Sequence, residues 1–90
     1  MEEFNALKLR IKAMMVENLM LQVTAAEIGD DLPLFAPGGL GLDSVDALQL
    51  VVGLDKNFGV KVPDPAAAKE ILHSVSTMAE AVRKKLSGES

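Results

Sequence analysis

Ser44 is the residue of this chain best placed to do chemistry. It stands in Gly41-Leu42-Asp43-Ser44-Val45-Asp46, framed by acids and preceded by a glycine-rich loop, at the mouth of a predicted helix. A serine at a helix start is exposed and held in a fixed direction. To act as a nucleophile it would need a base to take its proton. The sole histidine, His73, falls near the end of a short predicted helix with no clear partner. Nor is Gly41-Leu42-Asp43-Ser44 a G-x-S-x-G elbow, since no glycine follows at the required place. The pattern points to a serine on which something is attached, and no residue is assigned a catalytic role. The plainer reading is a helix N-cap, worth about 0.5–2 kcal/mol. Asp43 can fill that role, so the two readings are separable.

Other chemistries find little support. Asp30, Asp31, Asp43 and Asp46 could gather a hard cation, but the D-x-[DN]-x-[DN]-G loop is absent. They read as a solvated acidic surface, and no metal site is assigned. The chain has no cysteine, which removes disulfides and thiolate metal sites. The loop before Ser44 lacks the G-x-x-x-x-G-K-[ST] pattern of a nucleotide phosphate loop.

The elements that must hold Ser44 follow from periodicity. Phe4, Leu7, Ile11, Met14 or Met15, and Leu19 recur at helical spacing and predict a first helix over 3–20. Glu2 and Glu3 suit the positive end of its dipole, and Lys8, Arg10, Lys12, Glu17 and Asn18 fall mostly on the other side. Met14, Met15 and Met20 read as adaptable core filler. Residues 21–42 form a long loop, with a short turn opened by the Thr24/Glu27 spacing of a capping box. Pro33, Pro37, Gly38, Gly39 and Gly41 keep the rest irregular, while Leu32, Leu34, Phe35, Leu40 and Leu42 pin it to the core.

A second helix spans 44–58, capped by Asp43 or Ser44 and stopped by Asn57-Phe58-Gly59. It carries two apolar stripes. One is Ala47, Leu50, Val51, Leu54 and Phe58; the other is Val45, Leu48 and Val52, close to Ser44. A fold this small rarely buries a helix all round. The first stripe should face the core; Val45 and Val52 should be exposed, with Leu48 either exposed or covered by the loop. Asp64-Pro65 opens a short third helix with a body from Ala66 to Leu72. Ser76 or Thr77 caps a fourth helix running to about Leu86, with Thr77/Glu80 as a capping-box pair and Met78, Val82 and Leu86 as its stripe. Residues 87–90 read as a frayed tail. The fold class is therefore all-α: a small four-helix bundle of three longer helices and one short one, with a long first loop, forming a single domain over residues 1–90.

Composition agrees. The apolar fraction is 49% but aromatics are only 3%, so Leu, Val, Ile, Met and Ala must build the core. Net charge is −4, and residues 27–64 carry seven acids against two lysines, a local net of −5. That excess argues against nucleic acid and favours a partner with a basic patch. No apolar run is long enough to span a membrane. The acidic start lacks the features of a secretory signal, so a cytoplasmic location is expected.

At this point the chain resembles the acyl carrier proteins. The resemblance rests on Gly41-Leu42-Asp43-Ser44-Val45-Asp46 at the head of the second helix. It also rests on Leu50, Leu54 and the run Asn57-Phe58-Gly59-Val60-Lys61-Val62-Pro63-Asp64, with matching helix order, first loop and length. It implies that Ser44 receives a covalent 4'-phosphopantetheine arm from coenzyme A, installed by a phosphopantetheinyl transferase. The arm's thiol would carry acyl groups as thioesters between acyl-transfer and chain-elongation enzymes of fatty-acid, specialised lipid or polyketide synthesis. Growing chains would shelter between the helices of a monomer. Asp43, Val45, Asp46, Leu48 and Val52 would form the partner-recognition surface. The alternatives are a peptidyl or aminoacyl carrier and an unmodified helical interaction module.

Three departures from the commonest pattern stand out. Val45 follows the serine where fatty-acid carriers usually have Leu, Gln49 stands where an acid is typical, and Asp55-Lys56-Asn57 replaces a more acidic run. Such acids steer docking to basic enzyme patches. Their thinning here suits a specialised carrier for a dedicated lipid or polyketide pathway.

Overall fold

The computed structural model describes residues 2–36, 38–86 and 88. Pro37 of the loop, Ser87, Glu89 and Ser90 of the expected tail, and the side chain of Glu2 lie outside the described set. Among the described residues there are four α-helices and no strand: α1 Glu2–Leu19, α2 Ser44–Phe58, α3 Pro65–Ile71 and α4 Val75–Leu86. A 3-10 turn at Ala25–Glu27 interrupts the long first loop, and the Thr24 N–H donates to the Glu27 carboxylate at 3.3 Å.

The core is aliphatic, as composition requires. Ile11 and Met15 of α1, Leu50 and Leu54 of α2, and Val75, Met78 and Val82 of α4 are all fully buried, joined by Ile28 and Leu34 from the loop. α1 runs antiparallel to both α2 and α4. Its first turns share a groove with Glu80, Arg83 and Leu86 at the end of α4. Its Arg10 guanidinium lies 5.0 Å from the centre of the Phe58 ring, at the end of α2. The grooves between helices, including one of about 500 Å³ bordered by Val60, Ile71 and Ala81, are open at the surface. Among the described residues these grooves offer a cargo chain no closed chamber. α3 contributes no fully buried side chain, which makes it the helix held by least packing.

Where α1 crosses α2 the spacing is set by Gly53. A Cβ there would lie 2.7 Å from Met14 Sδ and 2.9 Å from Asn18 Nδ2. Those are the ends of flexible side chains, so one methyl can be absorbed, but a branched side chain cannot. Gly53→Val is expected to cost about 1–3 kcal/mol by overpacking, with Gly53→Ala costing far less, read from urea midpoints at an unchanged m-value.

α1 ends without the glycine that usually serves there. Met20 takes the left-handed conformation at φ 52° with its side chain exposed, and the Leu21 N–H closes the end on the Val16 carbonyl at 3.2 Å. Met20→Gly should therefore raise stability by about 0.5–1 kcal/mol, seen as a higher melting temperature.

Six expectations need correction. Met20 does not fill the core and Phe35 does not pin the loop to it; they are 85% and 36% exposed. Lys8 and Lys12 do not lie on the solvent side of α1. Both reach the Asp30 carboxylate, at 2.9 and 2.6 Å, with side chains only 14% and 11% exposed. Asp30 is solvated, its side chain 38% exposed, but it is ion-paired and not a free member of the acidic surface. The cap of α4 is Ser74, not Ser76 or Thr77. The Ser74 N–H donates to Thr77 Oγ1 at 2.9 Å and the Thr77 N–H donates to Ser74 Oγ at 3.3 Å, while Glu80 pairs with Arg83. Finally, Leu86 is exposed, because α4 outruns the core by its last turn.

Candidate functional site

The mount of Ser44 is built from three kinds of local constraint. Leu42 is buried, and its N–H donates to the Leu34 carbonyl at 3.1 Å; the Leu34 N–H in turn donates to the His73 carbonyl at 3.0 Å. The loop is thereby stitched to the turn between α3 and α4. Asp43 then caps α2. Its carboxylate accepts from the Asp46 N–H at 3.0 Å, and the Asp46 carboxylate accepts from the Asp43 N–H at 3.1 Å. This reciprocal pair satisfies two donors at the helix start. Ser44 is the first residue of the helix, and its side chain is exposed.

The cap is thus Asp43 of the two candidates. Ser44 carries no capping duty, and among the described residues no protein group hydrogen-bonds its hydroxyl. Its neighbours Val45, Leu48 and Val52 are 65%, 63% and 51% exposed, so the second stripe of α2 faces solvent along its length, Leu48 included. Leu50 and Leu54 of the first stripe are buried, and Ala47, Val51 and Phe58 are half-buried against them. Gly59 ends the helix at φ 71°, its N–H donating to the Asp55 carbonyl at 2.9 Å.

Sequence reasoning missed two side-chain roles here. The Asp46 carboxylate closes the capping box, a role signalled by the D-x-x-D spacing of residues 43–46. Asp55 is held by Lys61 Nζ at 3.0 and 3.2 Å across the turn after α2. His73 contributes its backbone carbonyl to the mount, while its side chain is exposed. Among the described residues no three His, Asp or Glu side chains gather as a metal site, and no helix is long and apolar enough to cross a membrane.

The chemistry of this arrangement suits a phosphate ester on Ser44. The hydroxyl opens to solvent at the positive end of a 15-residue helix, where a negative group is favoured. Fold and site together are those of a small helical carrier domain. The family model described as "Phosphopantetheine attachment site" matches residues 10–82, and the chain belongs to that family. Its domains are carriers rather than catalysts, and they bear 4'-phosphopantetheine covalently.

Proposed function

We propose that this protein is an acyl carrier protein and that Ser44 bears the arm. The observation that carries the assignment of the serine is its combination of exposure and idleness: it heads α2, yet Asp43 does the capping. In the modifying step Ser44 Oγ bonds to the phosphorus that carries pantetheine in coenzyme A. The bond from that phosphorus to the adenosine bisphosphate half breaks, and the hydroxyl proton passes to a base of the transferase. The arm supplies a thiol that holds cargo as a thioester. The chain's own part is to present the hydroxyl, fix its direction through the Leu42 and Asp43 anchors, and offer a surface to enzymes.

Asp-Ser order and the acidic head of α2 support an acyl over a peptidyl carrier. The thin acidity of the helix supports a dedicated lipid or polyketide pathway over bulk fatty-acid synthesis. Asp43, Val45, Asp46, Leu48 and Val52 are the proposed recognition residues, for a transferase and for acyl-transfer and elongation enzymes acting in the cytoplasm on a monomer. Incubation with coenzyme A and a broad-specificity phosphopantetheinyl transferase, followed by intact mass measurement, tests the reading. One phosphopantetheine on the wild type supports it. A bare chain leaves the unmodified interaction module.

A further inference from the structure

We propose that two copies of this chain pair weakly through the outward face of α1, helix against helix and antiparallel. The proposal is independent of the carrier reading. Ala6, Leu9, Ala13 and Val16 stand at i, i+3, i+7 and i+10, the spacing of a coiled-coil seam, and Met20 continues it just past the last turn. On the helical wheel they fall opposite Leu7, Ile11, Met14 and Met15, which fill the core. Leu9 is 58% exposed; Ala6 and Ala13 are exposed too, and Val16 is half-buried. α1 is thus apolar on two sides, while its own bundle buries only one.

Reversal shows which occupant fits the second side. Turned end for end, the stripe meets itself. Ala13 falls beside Ala13 of the other copy, Leu9 beside Val16 and Ala6 beside Met20, all within about one residue's rise of 1.5 Å. Alanine at the centre lets the axes approach to about 8 Å, and the small Ala6 leaves room for the long Met20. Charge makes the same choice. Arg10 and Glu17 lie along one flank of the stripe, and both border a groove of about 290 Å³ that ends at Asn57 and Phe58. In an antiparallel pair Arg10 of each copy meets Glu17 of the other, so two-fold symmetry makes two ion pairs. Glu17 has no hydrogen bond or ion pair among the described residues, and Arg10 only lies over the Phe58 ring. A parallel pair would instead bring Glu17 to Lys12, whose ammonium is already held 2.6 Å from Asp30. A membrane is a poorer occupant: Lys8 and Lys12 are committed to Asp30, and Glu17 sits beside Arg10. A single helix pair buries less than the roughly 1,200 Å² of a standard interface. The pair is therefore weak and exchanges with the single chain that enzymes serve. Ser44 heads α2, at the other end of that helix from the groove, and stays open in both copies.

The test is sedimentation of the apo chain. Between about 10 µM and 1 mM the mean mass should climb from that of one chain toward two. Leu9→Glu should raise the dimer Kd about tenfold or more. Arg10→Glu and Glu17→Arg should each raise it about threefold or more, and the two together should restore it to within about twofold of wild type. The chain has no cysteine, so cross-linking reports direction cleanly. Under mild oxidation Ala13→Cys should form a disulfide-linked dimer. Ala6→Cys should not, because antiparallel pairing sets the two thiols about 21 Å apart. The melting temperature of each variant confirms that it folds. A wild type that sediments as one chain at about 1 mM overturns the proposal; if it then floats with phosphatidylglycerol vesicles, the face is a membrane contact. A dimer untouched by Leu9→Glu overturns it as well. Failure of the charge swap to restore pairing, or Ala6→Cys linking as readily as Ala13→Cys, overturns the antiparallel arrangement.

Discussion

Ser44→Ala is expected to keep its fold and to acquire no arm. After incubation with coenzyme A and transferase its intact mass should remain that of the bare chain, whereas the wild type gains a single phosphopantetheine. Its unfolding free energy should stay within about 0.5 kcal/mol of wild type. The reason is the division of labour at the head of α2: Asp43 and Asp46 satisfy each other's backbone donors, so Ser44 contributes nothing to the cap. Asp43→Ala behaves in the opposite sense, losing about 1 kcal/mol of stability while retaining the hydroxyl. A second addition on the wild type, or any addition surviving in Ser44→Ala, would place the arm on another hydroxyl.

Asp30→Ala should cost about 1 kcal/mol, because it takes the shared partner from two largely covered lysine side chains, an effect moderated by the 38% exposure of the carboxylate to solvent. The carboxylate is a junction. Its oxygens hold Lys8 and Lys12 of α1, while its backbone carbonyl accepts from the Ser76 N–H at the start of α4, at 2.9 Å. The hydrogen bonds from Lys12 and Lys8 hold the Asp30 carboxyl below its usual range. A depressed folded pKa means that the unfolded chain binds the proton more readily. The stabilisation is therefore complete above the ordinary carboxylate pKa and fades as pH falls through the lower folded value. The gap in urea stability between wild type and Asp30→Ala should hold steady from neutral pH down to about pH 5 and shrink below about pH 4. A gap that persists undiminished in acid would assign the effect to packing instead of charge.

Much of this was legible in the sequence because it is local. Asp43 at the start and Asn57-Phe58-Gly59 at the end fix α2 within one turn of chain, and the bounds Ser44–Phe58 follow. Asp64-Pro65 marks the head of α3 in the same way. Periodicity also separates the two stripes of α2 and marks the one with Leu50 and Leu54 as the core side. The misses have other physical origins. Ser74, Ser76 and Thr77 are all competent caps, and the Ser74/Thr77 hydrogen bonds together with the burial of Val75 start the helix there. Lys8 and Lys12 find their partner 22 and 18 residues away, at a distance no periodicity can report. Leu86 continues an apolar stripe past the point where the bundle has anything left to bury. At the site, exposure of Leu48 turned on whether the loop covers it, and that depends on Leu34 and Leu42 being drawn inward. The hydroxyl itself was the easiest feature to find; its freedom from the cap was not.

The stitching of the first loop has a consequence for the order in which the site takes shape. Leu42 leans on Leu34, and Leu34 on His73, while Asp30 receives the Ser76 N–H. A ribosome that has released only the first two helices thus displays the serine on an unfinished pedestal. Until residues 73–76 emerge and dock, only the Asp43/Asp46 cap holds the head of α2, and the loop leading into it lacks its anchors.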